Sequence, residues 1–475
     1  MPTTAVLTDP DKTAQLPLSS AAREGRNSAE SPQIQNCIDM TDTQSVTVLL
    51  VALVTVMLVV SYGKYAWRRR KMPPGPFPLP ILGNYLQIQS EGLVSGLVKI
   101  SEKYGPIYTV YMGSRPCVVL SGYQAIKEAI VDMGDAFLDR GNMPLAFRIF
   151  NNSGLAVTNG ETWKQLRQFS LMTLKDFGMG KKSLEEPIQE EAQHLVEHFK
   201  GLNEQPYDPS CTLTCATSNI LLNILIGTRH DYNDKKWMQI LEESSEAFHI
   251  VSSKWGQEEK TLNTPFNMTN LSETVFDMFL GGSESTTSTV NFGLLILIKY
   301  PELQDKLHEE IDRVIGQVRQ PRVEDRNQMP YMNAVLHEIQ RISNVFPMGI
   351  FRCTTRDVNF RGFCIPKGTD VITMLTTVLQ DPAEFETPGE FNINHFLDES
   401  GKFKKINGFL PFSAGKRSCV GESLVRLQLF IFFTVILQKF TLKSTEDPKD
   451  LNISPVESGL ESIPPSHKII FISRV

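Results

Sequence analysis

The chain starts with a polar stretch and then an apolar run. Neither shows the regular spacing of apolar residues that predicts an amphipathic helix or strand. Residues 1–44 are rich in Thr, Ser, Pro, Asp and Gln and carry few large apolar side chains, which predicts a disordered polar tail. A nearly unbroken apolar run occupies residues 45–62. Because this length approaches the thickness of a bilayer, we predict a transmembrane anchor over residues 45–67. A buried core helix is the alternative.

A basic and proline-rich segment follows the apolar run. The basic side chains are Lys64, Arg68, Arg69, Arg70 and Lys71. Basic flanks stay on the cytosolic side of a membrane, so the body of the protein is predicted to face the cytosol. Five prolines fall between residues 73 and 80, and we interpret residues 68–80 as a stiff hinge. The folded body then covers residues 81–475.

Periodic patterns in the body predict the fold class. Residues 107–112 and 116–120 have strand character on either side of a Gly-Ser-Arg turn, which predicts a β-hairpin. Beyond it, apolar residues recur at helical spacing in most segments, including residues 161–169, 235–254, 301–316, 331–343 and 422–440. The pattern therefore predicts a mainly α fold with a small β portion, of the α+β class.

Composition and charge exclude several functions. The chain has 475 residues, of which 41% are hydrophobic and 21% charged, enough for a large core. Its net charge of −6 gives no reason to expect nucleic-acid binding. The seven cysteines are scattered, which favours a reducing compartment over a disulfide framework. No G-x-G-x-x-G motif follows a predicted strand, so no dinucleotide site is expected.

One cysteine stands between glycines, directly before an apolar helical pattern. Cys419 is followed by the pattern at residues 422–440, so its sulfur is predicted to lie at a helix N-terminus, which favours the thiolate. Gly415 and Gly421 let the backbone approach a flat ligand, and Arg417 offers a forked cation to a carboxylate. A thiolate beside a planar ligand with carboxylates indicates haem iron. A buried cysteine in a turn is the alternative.

Further cationic side chains are candidates to bind the carboxylates of the same planar ligand. Trp163 and Arg167 lie four residues apart on one predicted helix face, so an indole and a guanidinium can point at one partner. Arg140 is a weaker candidate for this duty. The alternative is an arginine that packs on the tryptophan at the surface.

A second group of polar residues interrupts a long apolar helix. We place Asn270 and Glu273 at its N-cap and N3 positions. Gly281 and Gly282 break the pattern and each costs roughly 1 kcal/mol relative to alanine, which indicates close approach of a ligand. Three polar side chains that follow can relay protons to a bound molecule, namely Glu284, Ser285 and Thr286. A solvated helix face is the alternative.

The helix predicted at residues 331–343 carries an ionic pair. Glu338 and Arg341 are three residues apart, a spacing at which their side chains can meet. His337 and Glu338 begin a zinc-binding H-E-x-x-H motif, but its last position is Arg341, so the metal interpretation fails. A surface ion pair of little energetic value is the alternative.

Three features now stand in one order along the chain: residues 281–286, the pair Glu338-x-x-Arg341, and the loop Phe412-x-x-Gly415-x-Arg417-x-Cys419-x-Gly421. Together they resemble the cytochrome P-450 superfamily, the haem-thiolate monooxygenases, whose fold is a helix-rich prism. The Pro-rich segment after an anchor, Trp163-x-x-x-Arg167 and the sequence FNINHF at residues 391–396 are similar to the microsomal family-two branch, which oxidises drugs, steroids and fatty acids. The resemblance covers residues 45–475.

The resemblance implies roles for the matching positions. Cys419 is expected to be the proximal iron ligand. The haem propionates would be held by Arg140, Trp163, Arg167, Arg352 and Arg417. A structural ion-pair cluster behind the haem would comprise Glu338, Arg341 and His395. Glu284 and Ser285 would occupy the acid and alcohol positions that deliver protons during oxygen activation.

The resemblance also implies partners and a location. The substrates would be O₂ and an apolar small molecule such as a xenobiotic, fatty acid or steroid. Electrons would come from a separate NADPH-dependent reductase, which would dock on Lys402, Lys404, Lys405, Lys416 and Arg426. The anchor would lie in the endoplasmic reticulum membrane, with the catalytic body in the cytosol. Substrate contacts are expected at residues 143–155, Phe276, Phe279, Phe346, Ile350, residue 459 and Leu460.

Two departures from the family pattern bear on activity. The alcohol position usually holds threonine, and Ser285 lacks the methyl group that restricts its rotamer. The family also has several tens of additional residues before the helix that carries Glu284, so we expect an internal deletion near residues 255–266. A splice form or an incomplete gene model would explain it. Two alternative functions therefore remain, a haem-thiolate isomerase and a catalytically impaired haem-binding membrane protein.

Overall fold

A computed structural model describes residues 45–57, 59–60, 63, 69–89, 92–141, 152–176, 178, 184–251, 268–458 and 460–474 of the chain. The polar tail predicted at residues 1–44 and the deletion expected near residues 255–266 lie outside this set. The chain divides into two compact units, Met1–Arg68 and Arg69–Val475.

The first unit is described only in part. Residues 45–57 are helical and their side chains are exposed. Within the described residues, no helix combines the length and the apolarity that crossing a bilayer requires.

Helices make up most of the second unit. In chain order they are α1 (Tyr85–Gln89), α2 (Leu93–Tyr104), α3 (Tyr123–Lys127), α4 (Gly154–Val157), α5 (Gly160–Asp176), α6 (Glu185–Gly201), α7 (Ser210–Ile226), α8 (Lys235–Val251), α9 (Met268–Lys299), α10 (Pro301–Val314), α11 (Pro330–Ser343), α12 (Thr376–Leu379) and α13 (Glu422–Lys439). A π-helical turn at Glu128–Asp132 and 3-10 turns at Val323–Gln328, Ile393–His395 and Gly415–Arg417 lie between them. The predicted mainly α composition is confirmed.

The strands are short and form four small sheets. They are β1 (Ile107–Met112), β2 (Arg115–Ser121), β3 (Asp139–Arg140), β4 (Arg352–Cys353), β5 (Val358–Phe360), β6 (Phe363–Ile365), β7 (Asp370–Met374), β8 (Phe440–Lys443), β9 (Val456–Ser458), β10 (Glu461–Ile463) and β11 (Ile470–Ser473). β1 and β2 form the predicted antiparallel hairpin. The pairs β5–β6, β8–β11 and β9–β10 are separate two-stranded sheets.

The largest sheet brings two distant arginines together. Its strand order is β1-β2-β7-β4-β3, with β2 and β7 parallel. β3 and β4 pair antiparallel at its end, and Arg140 stands directly opposite Arg352. Residues opposite each other on neighbouring strands are within side-chain reach. The sheet therefore places two of the predicted haem-contacting residues side by side.

Close packing of α9 against α13 forms the centre of the main core. A Cβ atom at Gly293 of α9 would lie 2.2 Å from Cζ of Phe433 on α13 and 3.0 Å from Cδ1 of Ile339 on α11. Phe433 is 1% exposed and Ile339 is fully buried, so neither side chain has free space to move into. The missing side chain at Gly293 thus allows these three helices to approach one another.

One prediction about α9 is wrong. Asn270 is not an N-cap, because the helix already includes Met268; its side-chain oxygen instead accepts a hydrogen bond from the backbone N–H of Gly154 at 3.0 Å. Gly281 and Gly282 interrupt the apolar pattern but not the helix, which continues through both positions to Lys299, as expected for mid-helix glycines. The packing of α9 over its whole length outweighs the low helix propensity of two glycines.

The proline-rich segment is part of the folded body. The backbone N–H of Thr109 donates to the carbonyl of Pro74 at 2.8 Å, and its hydroxyl donates to the carbonyl of Pro73 at 2.9 Å. A Cβ atom at residue Gly75 would lie 1.9 Å from the carbonyl oxygen of Thr109. Residues 73–78 are therefore extended, as expected, but they are docked on β1 instead of forming a free spacer.

Replacing Gly293 by alanine tests the close approach of α9 to Phe433. We expect Gly293→Ala to lower the free energy of unfolding by about 1–3 kcal/mol, because the new methyl group overpacks the core. Denaturant unfolding measures this change. Gly281→Ala is the matched control on the same helix, since no atom lies within 4 Å of its added Cβ. Equal stability of the two variants would contradict the packing.

Candidate functional site

The loop before α13 presents Cys419 at the helix N-terminus. The N–H of Cys419 donates to the carbonyl of Phe412 at 3.1 Å, which folds the loop back on itself. Gly415 has a φ of 72°, and a Cβ atom there would lie 1.9 Å from the carbonyl oxygen of Ile130, so only glycine fits. Gly421 is the N-cap of α13. The predicted position of the sulfur is therefore confirmed.

Burial and the helix N-terminus act in opposite directions on Cys419. Burial raises the pKa of its thiol, while the backbone N–H groups of Gly421 and Glu422 and the charge of Arg167 lower it. The net pKa shift is upward. The helix therefore stabilises the thiolate as the sequence predicts, but burial outweighs it among the protein groups alone. A metal cation at the sulfur would reverse the balance.

Cys419 opens onto a cavity with a volume of about 360 Å³, within the usual size of small-molecule sites. Apolar side chains cover most of its wall, including Leu155, Leu221, Leu280, Leu375 and Val425. The same cavity is lined by Arg140, Trp163, Arg167, Arg352 and Arg417. The structure thus collects all the predicted haem-contacting residues around one space.

The guanidinium groups are held mainly by neutral oxygen atoms. Arg417 donates to the carbonyls of Leu138 at 3.1 Å and Thr158 at 2.6 Å. Arg140 donates from Nε to the carbonyl of Ala156 at 2.9 Å. Arg167 donates to the carbonyl of Ser418 at 2.8 Å, and Arg352 donates to the carbonyl of Ala414 at 3.3 Å. Among the described residues, none of the four arginines forms an ion pair with a carboxylate.

The four positive charges repel one another in a buried environment. Burial, reinforced by the charges of Arg140 and Arg352, lowers the pKa of Arg417 to about 7. Burial also lowers the pKa of Arg140 to about 9 and that of Arg352 to about 10, with neighbouring arginines adding to both shifts. Nη1 of Arg352 is buried without a hydrogen-bond partner. A ligand with two carboxylates would relieve this repulsion, so the residues fit the propionates of haem.

The indole ring of Trp163 packs against two of the arginines. Its side chain is 4% exposed, and the guanidinium of Arg417 lies 3.9 Å from the ring centroid. The guanidinium of Arg167 is 5.8 Å from the same centroid. A cation over an indole ring is stabilised by the ring quadrupole. The alternative of an arginine that packs on Trp163 at the surface is therefore wrong in location, because the contact is in the interior.

Glu338, Arg341 and His395 form a buried cluster, as the resemblance implies. Arg341 donates to both oxygens of Glu338, at 2.7 and 2.6 Å, and both side chains are fully buried. Nδ1 of His395 is 3.2 Å from Glu338. Arg341 also donates to the carbonyls of Leu379 and Glu390 at 3.0 and 2.6 Å. The pair is not at the surface, and it fastens residues 379–395 to α11.

The predicted catalytic residues on α9 face different surroundings. Ser285 lines the cavity, and its hydroxyl donates to the carbonyl of Gly281 at 2.7 Å. Glu284 is 8% exposed and Thr286 is fully buried, and neither is among the residues that line the cavity. Gly281 has open space where a side chain would stand. The expected close approach of a ligand to α9 is therefore possible at Gly281.

The expected substrate residues divide into two groups. Phe346, Ile350 and Leu460 line the cavity. Phe276 and Phe279 do not; the ring of Phe279 packs edge-on against Trp237 of α8, with 6.0 Å between centroids. Of residues 143–155, positions 143–151 lie outside the described residues, as does residue 459.

Sequence reasoning missed Asp277, which also lines the cavity. Its Oδ2 accepts a hydrogen bond from the N–H of Ala156 at 2.9 Å, next to Arg140. Burial raises the pKa of Asp277 to about 7. The signal in the sequence was a single acidic residue within the apolar stretch VFDMFL.

The predicted basic patch is only partly exposed. Lys402, Lys404, Lys405 and Lys416 are exposed. Arg426 is partly buried and bonds to Glu422 at 3.0 Å and to His337 at 2.8 Å. Arg426 is therefore engaged by neighbours near α11 and α13 and is less available to a partner than the four lysines; docking on this patch stays a prediction.

A cysteine at a helix N-terminus, buried arginines without carboxylates and an apolar cavity between them define the architecture of a haem-thiolate enzyme. Comparison with known proteins agrees with this class. The family model described as Cytochrome P450 matches residues 73–258 and 254–471. The chain belongs to the cytochrome P450 family and is a monooxygenase, an oxidoreductase whose cofactor is haem with a cysteine thiolate ligand.

Curated relatives align over nearly their whole length. Cytochrome P450 2C16 of Oryctolagus cuniculus is 44% identical over 481 residues, which cover 90% of this chain and 99% of the relative. Cytochromes P450 2C8 and 2A6 of Homo sapiens are each 41% identical, over 484 and 488 residues, and cover 90% of this chain and 99% of each relative.

Breaking the Glu338–Arg341 pair tests its contribution to stability. Glu338→Gln should lower the free energy of unfolding by about 3–5 kcal/mol, because Arg341 is left as a buried charge without an anion. Denaturant unfolding measures the change. The control is Glu422→Gln, whose partner Arg426 is 21% exposed and which is itself 42% exposed; it should cost about 0–1 kcal/mol. Similar losses in both variants would disprove the role of burial.

Proposed function

We propose that this chain is a membrane-anchored monooxygenase that inserts one oxygen atom of O₂ into an apolar small molecule. The reaction is RH plus O₂ plus two electrons and two protons giving ROH plus water. The observation that carries the proposal is the shared cavity, in which one thiol and four arginines without carboxylate partners line an otherwise apolar wall. Bound haem supplies the redox centre for O₂ activation, and a thiolate ligand favours cleavage of the O–O bond.

Cys419 is the iron ligand in this proposal, because its sulfur faces the cavity and the helix N-terminus stabilises its thiolate. The propionates bind to Arg140, Trp163, Arg167, Arg352 and Arg417. The unpartnered Nη1 of Arg352 supports this assignment. Bidentate guanidinium–carboxylate contacts would fix both the position and the orientation of the ring.

Proton delivery is assigned to the polar residues of α9. Ser285 is the group that meets the cavity, so its Oγ passes a proton to the reacting molecule. Glu284 precedes it and holds the next proton, while the fully buried Thr286 supports the helix beside them. Ser285 has no β-methyl group and therefore rotates more freely than a threonine. This freedom lowers the fraction of reducing equivalents that ends in product.

Apolar substrates fit the wall of the cavity. Leu155, Phe346, Ile350 and Leu460 present hydrocarbon surface to it. Apolar pockets discriminate weakly between substrates, so the proposed class is broad and includes xenobiotics, fatty acids and steroids. Phe276 and Phe279 would act through the packing of α9 and not by direct contact.

Electrons are proposed to arrive from a separate NADPH-dependent reductase. The sequence contains no dinucleotide-binding motif of its own. Lys402, Lys404 and Lys405 are exposed shortly before the cysteine loop, and Lys416 lies within it. Lys416 is paired with exposed Asp135 at 2.6 Å, a weak contact that an acidic partner surface can replace.

The proposed location is the endoplasmic reticulum membrane. The apolar run at residues 45–67 would serve as a single-pass anchor, and the basic residues that follow it would keep the body at 81–475 in the cytosol. Residues 68–80 would join the two. Exposed apolar side chains along the helix at residues 45–57 support this assignment.

The main reason to consider an impaired enzyme is the expected deletion before the helix that carries Glu284. The alignment with the rabbit relative spans 481 positions, more than the 475 residues of the chain, although only 90% of the chain is included. The relative therefore carries residues that this chain lacks. The family match is split at residues 254–258, which supports a deletion near residues 255–266, by splicing or in the gene model.

Replacing Cys419 tests the ligand assignment. The reduced protein with carbon monoxide should show the difference band of thiolate-ligated haem, and Cys419→Ala should lose it because the sulfur is absent. Cys211→Ala is the control, since Cys211 is an exposed free thiol on α7. A thiolate band that persists in Cys419→Ala would overturn the assignment. Absence of the band in the unaltered chain would favour a protein impaired in haem uptake.

Electron dependence separates a monooxygenase from an isomerase. In membranes that contain the reductase, oxidation of an apolar substrate should require NADPH, since each turnover consumes two electrons. A charge reversal at three exposed positions, Lys402→Glu, Lys404→Glu and Lys405→Glu, should raise the reductase concentration needed for half-maximal turnover. Rearrangement of a peroxide substrate to an isomeric product without any reductant would instead identify an isomerase.

A further inference from the structure

A second buried carboxyl group stands behind the cavity. Glu461 opens β10 and is 1% exposed. Neither of its carboxylate oxygens has a hydrogen-bond partner within the described residues. The strand is fixed in place, because the N–H of Ser462 donates to the carbonyl of Val345 at 2.8 Å. A buried charge without a partner is costly, so Glu461 is stable there only in its neutral, protonated form.

β10 packs against α9, the helix that carries the proposed proton donor. The side chain of Glu461 interacts there with Ser288, and Ser288 and Glu284 are four residues apart on one face of the helix. Glu284 and Ser288 are 8% and 6% exposed. The three polar side chains therefore form a small, largely buried group on the helix whose Ser285 lines the cavity.

The electrostatics agree with this geometry. Burial and the negative charge of Glu284 raise the pKa of Glu461 to about 8, and the hydroxyl of Ser288 partly opposes the shift. In the described part of the chain, Glu284 is the titratable group on α9 that acts on Glu461. At neutral pH Glu461 is protonated, and it loses its proton as the pH rises through about 8.

We propose that Glu461 is a positioning residue for proton delivery, which keeps a neutral carboxyl group beside Glu284 and returns a proton to it after each transfer. The inference rests on the proposed function, because it assumes that Glu284 supplies protons through Ser285. Among the described residues Glu461 has no basic partner, and its contact with Ser288 is too weak to explain its burial as a structural need.

The proposed step is a proton exchange without electron transfer. The O–H bond of Glu461 breaks and an O–H bond forms on the carboxylate of Glu284, so the negative charge moves from Glu284 to Glu461. Water then protonates Glu461 and the resulting hydroxide is neutralised by the buffer. Above pH 8 Glu461 is ionised, and the step stops because no proton is available and two like charges repel.

Infrared difference spectroscopy of the purified, full-length, haem-loaded protein tests the protonated carboxyl group directly. The carbonyl stretch of a neutral carboxyl should be present at pH 7, with one component that disappears with a midpoint near pH 8 and another, from Asp277, with a midpoint near pH 7. Glu461→Gln should abolish the component near pH 8 and leave that of Asp277, whereas Glu446→Gln, at an exposed position, should keep both. Absence of the component near pH 8, or its survival in Glu461→Gln, would overturn the proposal.

Variants of the two residues next to Glu461 test the proposal even if Glu461→Gln does not fold. Glu284→Gln should move the midpoint to lower pH, because it removes the charge that raises the pKa of Glu461. Ser288→Ala should move it to higher pH, because it removes the group that stabilises the carboxylate. Midpoints that do not move in either variant would show that the three side chains do not interact.

Product formed per NADPH consumed tests the coupling to turnover. In the unaltered protein this ratio should fall as the pH rises through about 8, and in Glu461→Gln the pH dependence should be lost while the thiolate–haem spectrum stays unchanged. Glu461→Asp, which retains a carboxyl group, should restore it in part. A titrating infrared band without any turnover would refute the proposed function alone; turnover with an unchanged pH profile in Glu461→Gln would refute this inference alone.

Discussion

Four buried arginines that share one cavity and have no carboxylate partner in the described residues place the strongest constraint on this structure. Burial, reinforced by their mutual repulsion, lowers the pKa of Arg417 to about 7, which favours binding of an anion. Backbone carbonyls and the ring of Trp163 hold the guanidinium groups in place. Haem, the cofactor of the cytochrome P450 family, carries two carboxylates that would offset this repulsion, and such binding would contribute to folding stability.

The remaining architecture positions the thiol against this cluster. Gly293 allows α9 to pack on Phe433 of α13, and α13 in turn presents Cys419 at its N-terminus. The Glu338–Arg341 pair connects residues 379–395 to α11. These contacts are buried, so the elements that carry them pack closely.

The distal side has a different character. Hydroxyl groups on α9, such as those of Ser285 and Thr289, donate to backbone carbonyls one turn earlier and can exchange these bonds for others at little cost. Glu284 is turned away from the cavity, towards a strand that adds a second carboxyl group, Glu461. Ser285 therefore meets the cavity, while the neighbouring Glu284 is directed to another face of the same helix.

Local spacing along the sequence was sufficient to place Cys419 before a helix, to pair Glu338 with Arg341 and to find the β1–β2 hairpin, because these features depend on neighbours within a few residues. Motif order was sufficient for the family. The tertiary structure alone decided that Arg140 faces Arg352 across two strands, that Phe279 packs on Trp237, that Arg426 bonds to His337 and that Glu461 lies beside Glu284. Burial, pKa shifts and unpaired charges depend on which distant segments pack together. The spacing of apolar residues along the sequence does not specify those contacts.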